Sequence, residues 1–122
     1  MYRADRKAVD KVRGGGILLY IKDTISSQEV DKLHLESMEY LAAKIFLGIE
    51  GADLILGVFY RAPDSGNEGD KAMFEAMSRM SNKTAIILGD FNYPNIDWVE
   101  LSNNHINNEF LEVVNDNFFS TW

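Results

Sequence analysis

Two apolar runs separated by one amphipathic stretch constrain this chain more than anything else in it. Residues 54–60 read Leu-Ile-Leu-Gly-Val-Phe-Tyr and residues 84–89 read Thr-Ala-Ile-Ile-Leu-Gly. Runs of this length and composition predict strands buried on both faces, hence interior strands. Between them Met73, Phe74, Met77 and Met80 fall at i, i+1, i+4 and i+7, one stripe of a helix. Asp70 is placed to cap its start and Asn82 its end, and Glu75 and Arg79 are spaced to pair on the outer face. The preceding Asp64-Ser65-Gly66-Asn67-Glu68-Gly69 is loop composition. Strand, helix, strand predicts a right-handed crossover, so the two strands are parallel and their C-terminal ends lie on one side. Tyr60 and Arg61 end the first strand, and Asp90 and Asn92 follow the second. The crossover therefore predicts that these four residues come together.

The second run stops at Gly89-Asp90-Phe91-Asn92. If the extended geometry continues, Asp90 and Asn92 point the same way. The C-terminal end of an interior strand is where α/β folds collect ligand groups. Gly, Asp and Asn equally favour turns, so the tetrapeptide supports a ligand-binding strand end and a tight turn alike. The residue types suit phosphoryl transfer, in which charge spreads over equatorial phosphate oxygens. Tyr60 and Asn92 can donate hydrogen bonds to those oxygens, and Arg61 can do so with charge. Asp90 can orient or deprotonate a water, or hold a divalent cation. A magnesium site usually has one or two carboxylates, and Asp90 stands alone. Asp97 and Glu100 follow in sequence, but a loop surface accounts for them. His34, between Leu33 and Leu35, and His105, in an Asn-rich stretch, read as structural or solvated rather than as bases.

The chain has 122 residues, enough for a single domain over 1–122. Apolar residues at 46% and charged residues at 25% are those of a soluble globular protein. The net charge of −7 disfavours direct polyanion binding but leaves room for a phosphate reached through a cation. Cysteine is absent, which excludes disulfides and thiolate metal sites. No apolar run is long enough to span a bilayer, and the first residues lack the apolar core of a signal peptide, so an intracellular protein is expected. Gly14-Gly15-Gly16 has no Gly-Lys-Ser/Thr after it and predicts a turn into a strand over 17–22, not a phosphate cradle. Val30, Leu33 and Leu35 suggest a short edge strand or a loop. Residues 40–49 predict a strand joined by Gly51-Ala52-Asp53 to 54–60 as an antiparallel hairpin. Phe110, Leu111, Val114 and Phe118 predict a second amphipathic helix.

Several of these stretches, taken in order, resemble the endonuclease domain upstream of reverse transcriptase in non-LTR retrotransposons. That domain belongs to the endonuclease/exonuclease/phosphatase superfamily, with a deoxyribonuclease-I-like fold. The resemblance is carried by Arg3-Ala4-Asp5-Arg6, residues 14–23, Leu56-Gly57-Val58-Phe59-Tyr60-Arg61-Ala62-Pro63, residues 88–98 with their Gly-Asp-Phe-Asn and Tyr-Pro-x-Ile-Asp-Trp, and residues 108–119. Ala62 departs from a pattern that often has proline there, which alters loop stiffness rather than chemistry.

The resemblance implies an α/β fold: part of a four-layer α/β sandwich, with a mixed β-sheet and about two helices. It implies metal-dependent hydrolysis of DNA phosphodiester bonds with Mg²⁺ or Mn²⁺, as in target nicking, and a nuclear setting. In that scheme Tyr60 contacts the scissile phosphate, Asp90 orients the attacking water and lies close to the metal, and Asn92 bonds a phosphate oxygen. Arg61 has no secure role and enters as an adjacent basic group for phosphate. The family's early Asn, its metal-ligating Glu and its later Ser-Asp-His element have no match in these residues. The expectation is a central fragment, inactive alone, with weak or absent metal binding. Much of a second sheet would be missing, leaving an apolar sheet face for self-association. A phosphatase or exonuclease relative, and a non-catalytic interaction module of the same fold, are the alternatives.

Overall fold

The apolar runs pair as the crossover requires. In the computed structural model the described residues are 1–4, 16–35, 37–49, 52–97, 102–103 and 109–117. Strands β1 (Tyr2–Ala4) and β2 (Ile17–Leu19) form a small antiparallel pair. The main sheet has four strands: β3 (Ser27–His34), β4 (Met38–Ile45), β5 (Leu54–Arg61) and β6 (Ala85–Asp90), in the order β3-β4-β5-β6. Its first two pairings are antiparallel and β5–β6 is parallel. Helix α1 (Asn67–Met80) connects the parallel strands. The chain continues through β7 (Ile96–Asp97) and β8 (Ser102–Asn103), an antiparallel pair, to helix α2 (Glu109–Asp116). The protein is thus a mixed α/β fold, with a mixed sheet and two helices among the described residues.

Alternation along the strands decides what each face meets. Met38, Tyr40 and Ala42 of β4 and Ile55 and Phe59 of β5 share one cluster with Met73, Ala76, Met77 and Met80 of α1 and Phe110, Leu111 and Val114 of α2. The methionine stripe is therefore core, each side chain gaining roughly 1.5–3 kcal/mol from full burial. On the opposite face, Leu41 packs with Ile17 of β2, flanked by Tyr2, Leu19, Val58 and Tyr60. The β1–β2 pair covers that part of the second face, and the Tyr2 and Ser27 hydroxyls hydrogen-bond at 2.9 Å across the join. At the rim of the helix face the Tyr40 hydroxyl donates to Asp31, while Arg79 donates to Tyr40 at 2.8 Å and to Asp31 at 3.3 Å. Burial first, and then Asp31, push the Tyr40 phenol up to about 12.

Several sequence expectations are corrected. Run 84–89 was expected to be interior, but β6 is the last strand of the sheet among the described residues. Ile86 and Leu88 are 47% and 52% exposed, on the sheet face that β1–β2 covers only in part. Asp70 does not cap α1. Gly66 is the N-cap and Asp70 lies inside the first turn, where the helix dipole favours a carboxylate. Ser81, not Asn82, is the C-cap, and its backbone N–H bonds back to Met77 and Ser78. Arg79, expected beside Glu75, reaches across to the sheet. The strand expected over 17–22 ends at Leu19, and that expected over 40–49 is shifted to 38–45. β3 is a full eight-residue edge strand with an irregularity between Glu29 and Asp31, a feature that discourages edge-to-edge pairing. Gly14, Gly15, Gly51 and Phe118 lie outside the described residues. No helix of the described residues is long and apolar enough to cross a membrane.

Candidate functional site

Parallel pairing of β5 with β6 places Tyr60 directly opposite Asp90 at the ends of both strands. Tyr60 packs on the β1–β2 side of the sheet, with Leu41 and Ile17 nearby. Asp90 is exposed and follows Leu88, two residues back, onto that same side by strand alternation. Across the other neighbour, Glu39 of β4 is paired with Tyr60 and is completely buried. One row across three strands thus carries Glu39, Tyr60 and Asp90. Glu39 escaped the sequence reading because the strand was expected to begin after it. A lone carboxylate among apolar neighbours at the head of β4 was the available signal.

After Asp90 the chain turns sharply. Asn92 has φ of 50°, a left-handed conformation that Asn tolerates better than most residues. Its backbone N–H donates to Asp90 Oδ1 at 3.3 Å, and its side-chain Nδ2 donates to the Arg61 carbonyl at 2.5 Å. Gly89 and Asp90 are the last residues of β6, and Phe91 and Asn92 lead the chain out of the sheet, so the tetrapeptide spans a strand end and the start of the connection that follows. Gly89 is needed there for space. A Cβ on it would lie 2.7 Å from the Phe59 carbonyl oxygen and 3.0 Å from the Phe91 ring. Gly89→Ala should cost about 1–3 kcal/mol of unfolding free energy, as overpacking does. Urea denaturation measures it, and a loss below about 0.5 kcal/mol would mean the strand end relaxes freely.

Arg61 goes the other way. It neighbours Tyr60 on an extended strand, so its side chain leaves on the helix side. It is 7% exposed. Nε donates to Asp70 Oδ1 at 2.7 Å and Nη2 to Asp70 Oδ2 at 3.1 Å. Nη1 donates to the Phe91 and Asn92 carbonyls at 3.3 and 3.2 Å. The guanidinium carbon lies 4.1 Å from the centre of the Tyr93 ring. Burial lowers the Arg61 pKa, but the Asp70 hydrogen bond and the charges of Tyr93 and Asp70 outweigh it and the net shift is upward. Burial likewise pushes the Tyr93 phenol up to about 12, with Arg61 opposing and Asp70 and Glu109 adding. Phe91 completes the joint, its ring 6.1 Å from Phe59 and 4.9 Å from Phe110.

Of the four sequence candidates, Tyr60 and Asp90 share a strand end and a face. Asn92 joins them through the turn, and Arg61 stands behind it. Among the described residues no group of three or more His, Asp or Glu is disposed to hold a metal ion. The single exposed carboxylate of Asp90 does not make a magnesium site by itself. Glu100 and His105 lie outside the described residues. A cleft of about 490 Å³ lined by Asp70, Lys71, Phe74, Tyr93 and Phe110 opens on the helix side, among the groups that surround Arg61.

A family model described as endonuclease-reverse transcriptase matches residues 54–121, more than half of the chain. No curated protein and no solved structure matches it. The matched span takes in β5, the crossover helix, β6 with its Gly-Asp-Phe-Asn turn, and α2. This chain belongs to the endonuclease-reverse transcriptase family.

Proposed function

We propose that the chain carries part of a centre that hydrolyses DNA phosphodiester bonds with a divalent cation, as in the nicking of a retrotransposon target. The pairing of Tyr60 with Asp90 at the solvent end of two parallel strands is the observation that supports this most. In this reading Asp90 orients a water for attack on phosphorus. The new bond is water oxygen to phosphorus, the ester P–O bond breaks, and the proton that the water gives up is matched by the one that the leaving oxygen takes up. The Tyr60 hydroxyl donates to a non-bridging phosphate oxygen. Asn92 keeps one amide proton for the same use, the other being donated to the Arg61 carbonyl. Mg²⁺ or Mn²⁺ would supply charge neutralisation, but the described residues do not fit a complete cation site, and no step is assigned to it.

That the described residues bring no three carboxylates or imidazoles together favours a second reading, a module that keeps the sheet without the chemistry. Nicking of supercoiled plasmid in magnesium or manganese decides between them. The 122 residues alone should leave plasmid intact. A chain extended at both ends to include the family's Glu and Ser-Asp-His segments should nick it. Metal-dependent nicking by the 122 residues, abolished by Asp90→Ala, would overturn the inactive reading. An intact plasmid with the extended chain would remove the nuclease reading itself.

Self-association is proposed through the outer end of the second sheet face. Ile86 and Leu88 project from β6 beyond the cover of β1–β2, on the strand that ends the sheet among the described residues. Exposed apolar side chains on a sheet face drive association. Size-exclusion chromatography with light scattering should show species larger than the monomer, and Ile86→Lys with Leu88→Lys should return the chain to monomer. A wild-type monomer at all concentrations would remove the proposal.

A further inference from the structure

We propose that Arg61 is the positioning residue of this strand end, locking the turn after Asp90 from behind rather than binding phosphate. Its guanidinium joins three separate segments. Nε and Nη2 grip the Asp70 carboxylate in the first turn of α1, and Nη1 holds the carbonyls of Phe91 and Asn92. The Tyr93 ring closes over the guanidinium face at 4.1 Å. Asn92 returns the contact, its side-chain amide donating to the Arg61 carbonyl at 2.5 Å. The turn is thus tied to the end of β5 by bonds running in both directions.

The lock has something to hold. Asn92 is the one non-glycine residue with positive φ among the described residues. Carbonyl acceptors bound to a buried cation favour that conformation over the commoner ones. In it the Asn92 backbone N–H faces Asp90 Oδ1, so the orientation of the Asp90 carboxylate depends on the same turn. Asp70 supplies the opposing charge, and its placement in α1 makes the helix a fixed support. Every nitrogen of the guanidinium already donates within the protein, and all of them lie on the helix side, away from the face that carries Tyr60. A planar fork that engages a carboxylate on one side and two carbonyls on the other is beyond a lysine ammonium, so charge alone does not replace it.

The consequence for cleavage rests on the proposed function, while the lock itself is measured without it. The first arm is ¹⁵N NMR of the 122-residue chain, wild type against Arg61→Lys. The backbone and side-chain amide signals of Asn92 should move, and their exchange with solvent should quicken about tenfold, the scale of a lost hydrogen bond. Core amides such as Ala42 and Ile55 should hold their positions. The second arm is plasmid nicking by the extended chain. Arg61→Lys should lower kcat about tenfold with KM unchanged. A direct phosphate contact predicts instead a raised KM, partial rescue by lysine and an unchanged Asn92 signal. Either an unmoved Asn92 signal in a folded Arg61→Lys chain or a rise in KM alone overturns the proposal. If Arg61→Lys does not fold, Asp70→Asn keeps Arg61 in place and loosens the fork, and the same shift and exchange at Asn92 are then required. If the extended parent does not nick, the nuclease reading fails while the NMR arm still decides the lock.

Discussion

Nicking of supercoiled plasmid by the extended chain is expected to fall at least about a hundredfold when Asp90 is replaced by alanine, the loss that follows removal of one preorganised polar group. Asp90 is exposed at the end of β6, so its removal leaves no cavity, and the thermal transition should move little. Activity and stability are therefore separable at this position. Asn92→Ala should also silence nicking, but with a loss of stability, because its amide holds the Arg61 carbonyl. Losses among groups that act as a unit are non-additive, so the double variant should be no worse than Asp90→Ala by itself. The readout is the initial rate of conversion from supercoiled to open-circular plasmid. Equal nicking by wild type and both variants would mean that Gly-Asp-Phe-Asn serves as a turn only.

Phe59→Ala should be the most damaging single change to the fold, at about 3–5 kcal/mol. Phe59 is 2% exposed and stacks on Tyr40 with ring centres 5.3 Å apart. It also meets Phe91, which meets Phe110, so one aromatic chain runs from the middle of the sheet through the turn to α2. Such pairs add roughly 0.5–1.5 kcal/mol beyond area burial. For a domain whose total stability is about 5–15 kcal/mol, the loss is a large share or the whole. Urea denaturation followed by circular dichroism measures it. Phe46→Ala, at a residue 38% exposed, is the control and should stay within about 0.5 kcal/mol. A Phe59→Ala loss below about 1 kcal/mol would show that the Tyr40–Phe59–Phe91 stack is not part of the core.

What the sequence by itself determined is whatever local periodicity and short connections dictate. The strand–helix–strand unit over β5, α1 and β6, the antiparallel β4–β5 pairing and the helix on Phe110, Leu111 and Val114 all follow from patterns within a few residues. The neighbourhood of Tyr60 and Asp90 follows too, because a parallel crossover leaves both strand ends on one side. The division between Tyr60 and Arg61 was missed, although adjacent residues of a strand take opposite faces.

Other features needed the tertiary structure. An apolar run such as Ala85-Ile86-Ile87-Leu88 has the same pattern at the centre of a sheet as at its end, and only strand order placed β6 last in the sheet among the described residues. Asp70 is nine residues from Arg61, and its spacing to the apolar stripe suggested a cap. The choice went to the ion pair because the first turn of α1 comes to rest against the end of β5. Glu39 joined the row of Tyr60 and Asp90 only through the register of β4 on β5. Local pattern specifies which segments extend and which coil. Which carboxylate meets which cation is set by long-range packing, where a buried charge must find its partner wherever the fold brings one.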